Sequence, residues 1–309
     1  MHNPANESVP SFKSVLLATD FSVASQAAFN TALRLCKTLR ASLCILHVFE
    51  YANPVPPVTG GQLLELDRIY ERAEASLNDL VQTALRAGVT CESTMGSGIA
   101  ELTILEAIIS KEVDLTVLGT NALHGFERLV FGSTAEAILR RSSCPVITVG
   151  PQAAGSAKSD EPEGPVIFAT DFHVTTTHAI HYAASFCKMM ESPLHCLHVL
   201  PRTLAGGVRS EIIPQIMTEA LQHVANESGT DIARPVCAVA YGSEISNAVV
   251  DYARQQKAKL IVLGVRRASM VASHVPAHIA YRIITEAPCP VLTVAYASQP
   301  HATLAAACL

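Results

Sequence analysis

The sequence predicts an α/β protein of two tandem domains, each a five-stranded parallel sheet with helices on both faces. Three observations carry that expectation: a motif set that occurs twice, a strand–helix alternation within each copy, and an apolar-rich composition. The segment VLLATDFSV at 15–23 recurs as VIFATDFHV at 166–174, a shift of 151. The same shift places Cys36-Lys37 on Cys187-Lys188 and LHV at 46–48 on LHV at 197–199. A shift of 145 then carries VLG at 117–119 onto VLG at 262–264, and CPVITV at 144–149 onto CPVLTV at 289–294. The second copy has lost a few residues between these blocks. So long a period marks a duplicated domain and not a solenoid.

The elements of the first copy follow in order. Ser14–Asp20 is a short apolar run closed by a polar residue, as suits a strand buried on both faces. Ser22 is a candidate N-cap, after which Ala24, Ala28, Ala32, Leu35 and Leu39 recur at helical spacing. Further strands are expected at Leu43–Phe49, Val89–Met95, Asp114–Gly119 and Val146–Val149, with helices at 62–87, 100–111 and 133–142. In the second copy Ala179, Ala183, Phe186 and Met190 mark the first helix. Alternation of this kind gives parallel strands with right-handed crossovers, a flavodoxin-like or Rossmann-like domain.

The chain's 309 residues suffice for two domains of about 150 residues, each with its own core. Apolar residues make up 49% of it and charged residues 16%, which fits doubly covered sheets and an apolar contact between the domains. The expected boundaries are a flexible start at 1–10, a first domain at 11–150, a linker at 151–163, a second domain at 164–297 and a flexible tail at 298–309. The linker lies within GPQAAGSAKSDEPEGP, which has no apolar periodicity.

A net charge of −5 without a basic run argues against a nucleic-acid partner. No stretch reaches the roughly 18 uninterrupted apolar residues of a membrane span, and no secretion signal opens the chain. The nine cysteines are scattered, with Cys36 matching Cys187 and Cys144 matching Cys289 in the repeat. They read as small buried apolar residues in a reducing cytoplasm. The histidine pairs His274/His278 and His178/His181 are weak metal candidates. Pro276 argues against a regular helix at the first pair, so no metal site is expected.

Open sheets of this type bind ligands beyond the carboxyl ends of the strands, where the strand order reverses. Here that crevice falls between the first and fourth strands, whose ends are Asp20 and Leu118-Gly119. Gly119 would let the backbone turn sharply. Gly132-Ser133-Thr134 opens the next helix and would present free N–H groups and a positive dipole end, an anion site. The plainer reading of Ser133-Thr-Ala-Glu136 is a capping box.

The ATD-F-S start, the strand ending LHV, the Gly-rich segment before a helix and the CPV strand together resemble the universal stress protein family, once per half. The resemblance implies an adenine-nucleotide-binding domain of the adenine nucleotide alpha hydrolase type, with ATP, alone or with Mg2+, as the ligand. It implies that Ala18, Thr19 and Asp20 face adenine and ribose, and that Val48, Leu118 and Gly119 wall the base. Gly132, Ser133 and Thr134 would then hold the phosphates. The chain departs from the family's G-x2-G-x9-G-[ST] pattern at Ala122, where the second glycine belongs. A Cβ at a position needing positive φ costs about 1 kcal/mol.

The second copy departs further: Arg267, Ala277 and His278 stand where the first has Ala122, Gly132 and Ser133. Pro276 supplies no N–H, so ATP is not expected there, and Arg266 and Arg267 read as solvated or interdomain. The Walker pattern, a G-x-G-x-x-G turn and a nucleophile elbow are all absent. Phosphoryl transfer needs a cation on the transferred group and a carboxylate-held metal. The expectation is therefore a cytoplasmic regulatory or stress-protective ATP binder, hydrolysing slowly at most. The alternative is an interaction protein with two degenerate crevices. The resemblance also implies dimer-like pairing of the last strands, here Val146–Val149 with Val291–Val294 inside one chain, with a homodimer as a further possibility.

Overall fold

The structure is a computed structural model that describes residues 10–50, 60–120, 132–156, 164–173, 177–202, 209–227, 235–266 and 275–296. The first copy runs β1 (Ser14–Thr19), α1 (Val23–Leu39), β2 (Ser42–Phe49), α2 (Gly60–Arg86), β3 (Cys91–Ser97), α3 (Ala100–Ser110), β4 (Leu115–Gly119), α4 (Ser133–Arg141) and β5 (Val146–Val149). A short helix α5 (Pro151–Ser156) follows. The second copy runs β6 (Val166–Ala169), α6 (Ala179–Met189), β7 (Leu194–Pro201), α7 (Arg209–Glu227), β8 (Val236–Gly242), α8 (Ile245–Gln255), β9 (Leu260–Arg266), α9 (Val275–Glu286) and β10 (Val291–Tyr296).

Each copy has the expected parallel order, with the reversal between β1 and β4 in the first and between β6 and β9 in the second. The two sheets are not separate. They join into one ten-stranded sheet of order β3-β2-β1-β4-β5-β10-β9-β6-β7-β8. The join is an antiparallel pairing of β5 with β10 that sets Ile147 opposite Leu292 and Thr148 opposite Val291. β5 and residues 291–294 of β10 are fully buried runs of β-branched and apolar residues, and pairing removes the edge each would otherwise expose.

Two cores cover the sheet, one on each face, and both run through the two copies. One gathers Ala28, Phe29 and Leu35 of α1 with Leu77 of α2 and with Ala183 and Phe186 of α6. The other gathers Ile104 and Ile108 of α3 and Ile138 of α4 with Val250 of α8 and Ile283 of α9. Burial pushes the thiols of Cys36 and Cys187 up to about 12, so both behave as apolar filler.

Three expectations need correction. The linker opens with helix α5, whose Ala153 is buried in the first core, so residues 151–156 are ordered structure. Pro276 does not break α9: it sits in the first turn, where a helix N–H has no intrahelical partner to lose. The third strand starts at Cys91, two residues after the expected Val89. Val89 instead closes α2, donating its N–H to the Ala84 carbonyl.

Candidate functional site

The turn after β1 is built by side chains. Ser22 caps α1 by accepting the Ser25 N–H at 3.2 Å, as its position in sequence implied. The Thr19 hydroxyl accepts the Phe21 N–H at 3.1 Å and donates to the Ser25 hydroxyl, so it is engaged within the turn. Asp20 Oδ1 accepts the Ser22 N–H at 3.0 Å. Burial by itself raises the Asp20 pKa, but hydrogen bonds from the Ser22 hydroxyl and N–H and from the Ser25 hydroxyl outweigh it. The carboxyl is held below its ordinary value and is ionised at neutral pH.

Phe21 carries a φ of 60°, in the left-handed region that costs a residue with a Cβ about 1–2 kcal/mol. Two contacts hold it. Its ring lies 4.5 Å from that of His47 on β2, and His47 Nδ1 donates to the Thr19 carbonyl at 2.8 Å. Nδ1 therefore bears a proton. The second copy repeats the device: Phe172 has φ 61°, its ring lies 4.7 Å from His198, and His198 Nδ1 reaches the Thr170 carbonyl at 2.8 Å. Sequence reasoning passed over Phe21. The signal was present in the Asp-Phe that follows both first strands.

Ala18, Val48 and Leu118 share one face of the sheet, packing into the core formed with α3 and α4. They lie toward the carboxyl ends of β1, β2 and β4, so the topology brings them to one edge with Asp20. Leu118 is itself buried, whereas Ala18 and Val48 are half-buried. Gly119 has a different reason from the one expected. A Cβ built there would strike the Ala24 carbonyl and lie 2.6 Å from the Ser25 nitrogen, so the glycine admits the first turn of α1. Thr120 follows directly, buried, with a hydroxyl that has no hydrogen-bond partner among the described residues. It was not among the expected site residues, and the matching residue of the second copy is Val265.

At the far side of the crevice, helix α4 begins at Ser133 with Gly132 as its N-cap, so the alternative reading, a capping box led by Ser133, does not form. Glu136 instead pairs with Arg140 at 2.9 Å. The exposed Ser133 hydroxyl makes no hydrogen bond with a described residue, and Thr134 is half-buried beside it. Gly132 has extended backbone at φ −60°, and a Cβ placed on it would meet no atom of a described residue within 4 Å. Neither packing nor backbone conformation therefore requires a glycine there. Ala122 lies outside the described residues.

The second copy differs at this end. Its helix α9 starts at Val275, three residues before His278, the match of Ser133. The matches of Phe131, Gly132 and Ser133 thus lie inside a helix, where Gly132 itself is extended. Arg267 and His274 lie outside the described residues.

Comparison with known proteins places these features in a family context. The profile described as "Universal stress protein family" matches the chain twice, at residues 11–150 and 164–295. A universal stress protein of Methanocaldococcus jannaschii is 29% identical over 139 residues, covering 45% of this chain and 82% of its own length. A putative universal stress protein of Staphylococcus haemolyticus is 33% identical over 143 residues, covering 45% of this chain and 84% of its own. The crystal structure of a universal stress protein from Archaeoglobus fulgidus aligns with a TM-score of 0.70 at 21% identity. It covers 93% of this chain and 98% of its own, a likeness of fold that spans both copies.

Proposed function

The chain belongs to the universal stress protein family, and from that premise we propose that its first domain binds ATP as a regulatory ligand while its second does not. The observation that carries this reading is Gly132. A glycine that the fold does not require, at the N-cap of a helix with a free Ser133 hydroxyl beside it, leaves room for a phosphate against backbone N–H groups. The other end of the crevice is complementary. Ionised Asp20 accepts hydrogen bonds from ribose hydroxyls, and Ala18 and Val48 offer an apolar wall to the base. The unpartnered Thr120 hydroxyl adds a donor at the strand end.

The second domain keeps the Asp171-Phe172 turn but has Val265 in place of Thr120, and its first helical turn takes up the segment that should cradle phosphate. We read it as a degenerate partner. The β5–β10 pairing lets it cover the first domain as a second subunit would, so one chain acts as a pseudo-dimer. Holding ATP without turning it over agrees with a crevice whose described residues supply one carboxylate and hydroxyls but no lysine.

Calorimetric titration of ATP, with and without magnesium, into wild type, Asp20→Ala and Ser133→Ala tests this. One ATP per chain, weakened by both substitutions, supports the reading. Two per chain overturns the assignment of the second domain. No heat at millimolar ATP favours an interaction protein, with Ala122 as the residue to revert to glycine.

A further inference from the structure

The sheet order reads alike from either end once the copies are matched, so each groove along the β5–β10 seam has a counterpart. The two grooves are occupied differently. In one, Phe12, the second residue before β1, is 4% exposed, with its ring 5.2 Å from Phe186 and 6.2 Å from Tyr182 on α6. In the other, the repeat places Leu35 for Phe186 and Thr31 for Tyr182, so two aromatic side chains are missing, and the match of Phe12, Glu163, lies outside the described residues. A cavity of about 170 Å³ opens there, between α1 and the starts of β9 and β10.

Its size and charge select a ligand. A cavity of about 150 Å³ admits a benzene ring, and a ring is what fills the counterpart groove. Leu35, Ile147, Leu260 and Pro290 supply apolar walls, and Arg34 and Lys259 supply two cations without a carboxylate among the described lining residues. Lys259 stands where the first copy has Asp114, which accepts the Lys13 and Ser14 N–H groups at 2.7 and 2.9 Å. The charge at this corner has thus been reversed. Lys259 Nζ makes one long bond, to the Met190 carbonyl at 3.4 Å, and the Arg34 guanidinium pairs with no described residue. The site is remote from the nucleotide crevice: Arg34 lies 11 residues beyond Val23 on α1, about 17 Å along the axis.

We propose that this cavity binds a small aromatic carboxylate, its ring between Leu35 and Leu260 and its carboxylate on Arg34 and Lys259. Benzoate is the probe, titrated by calorimetry into the full chain, with benzyl alcohol (ring without charge) and acetate (charge without ring) as controls. One benzoate per chain is expected, with both controls at least about tenfold weaker and Arg34→Ala about tenfold weaker for benzoate. Leu35→Phe, which restores the side chain of the counterpart groove, should abolish binding while the unfolding midpoint stays near that of wild type. No binding at about 10 mM benzoate, equal affinity for benzyl alcohol, or full affinity in Leu35→Phe overturns the proposal. Should Leu35→Phe not fold, unchanged benzoate affinity in Arg34→Ala, a substitution on the exposed rim, overturns it alone.

Discussion

His47 is tied to Thr19 by a 2.8 Å hydrogen bond from Nδ1 to the carbonyl oxygen, and this bond fixes the turn that ends at the β1/β4 crevice. The same bond joins His198 to Thr170. Because His47 also faces the ring of Phe21, it holds a residue whose backbone is strained. Replacing His47 with alanine removes both restraints and is expected to destabilise the chain by about 1–2 kcal/mol. Phe21→Gly loses the ring contact but relieves the positive φ, so it should lie within about 1 kcal/mol of wild type. Urea unfolding measures both. Equal losses in the two variants would show that ring packing, not backbone strain, governs the turn.

Gly119 and Gly132 separate fold from function. Gly119→Ala pushes a Cβ into the Ala24–Ser25 backbone and is expected to cost about 2–4 kcal/mol. Gly132→Asp adds a capping side chain and a negative charge at a helix start, for a gain of about 0.5–1 kcal/mol. The same carboxylate occupies and repels the phosphate position, so ATP affinity should fall at least about tenfold. A Gly132→Asp protein that binds ATP as wild type does would remove the phosphate from α4.

The lowered pKa of Asp20 fixes a pH dependence. A carboxyl with a folded pKa below its unfolded value contributes stability above the unfolded pKa, and that contribution is lost as pH falls through the folded one. Wild type should therefore lose stability below about pH 4 more steeply than Asp20→Asn, while the two run parallel between pH 6 and pH 8. Parallel curves in acid as well would mean that the turn's hydrogen bonds do not favour the charged form.

Thr148 and Thr293 occupy matching positions on β5 and β10, both buried at the seam. The Thr293 hydroxyl donates to the Val146 carbonyl at 3.2 Å, whereas the Thr148 hydroxyl has no partner among the described residues. Thr148→Val should then stabilise by about 0.5–1 kcal/mol and Thr293→Val should destabilise by a similar amount. Thermal unfolding of the two variants reads opposite signs. A loss in both would point to a hidden partner for Thr148.

The seam also predicts how the chain responds to cutting. With a protease site placed within 157–163, the two halves should stay together through size exclusion after cleavage, because both cores and the β5–β10 pairing cross the seam. Halves that separate would refute the pseudo-dimer.

Much of this was legible along the chain because it is local. The repeat, the alternation of strand and helix, the Ser22 cap and the β1/β4 crevice all follow from periodicity and from residues a few positions apart. The misreadings have a common cause. Gly119 was taken for a ligand-side turn because its neighbour Ala24 is distant in sequence. The plainer alternative, a capping box led by Ser133, rests on the local S-x-x-E pattern, while the observed cap is Gly132 and Glu136 is drawn to Arg140. The linker's helix depends on Ala153 finding a core that the segment itself does not contain.

The sequence by itself determined the two-domain α/β architecture and the β1/β4 crevice at the carboxyl edge of the sheet, since apolar period and duplicated motifs are properties of the chain. Only the tertiary structure decided that two phenylalanines sit at positive φ against histidines, and that one seam groove is filled by Phe12 while a cavity opens among the described residues of its counterpart. Those outcomes depend on contacts between residues tens to hundreds of positions apart. No local pattern encodes such contacts, because their free energy exists only once both partners have been brought together and desolvated.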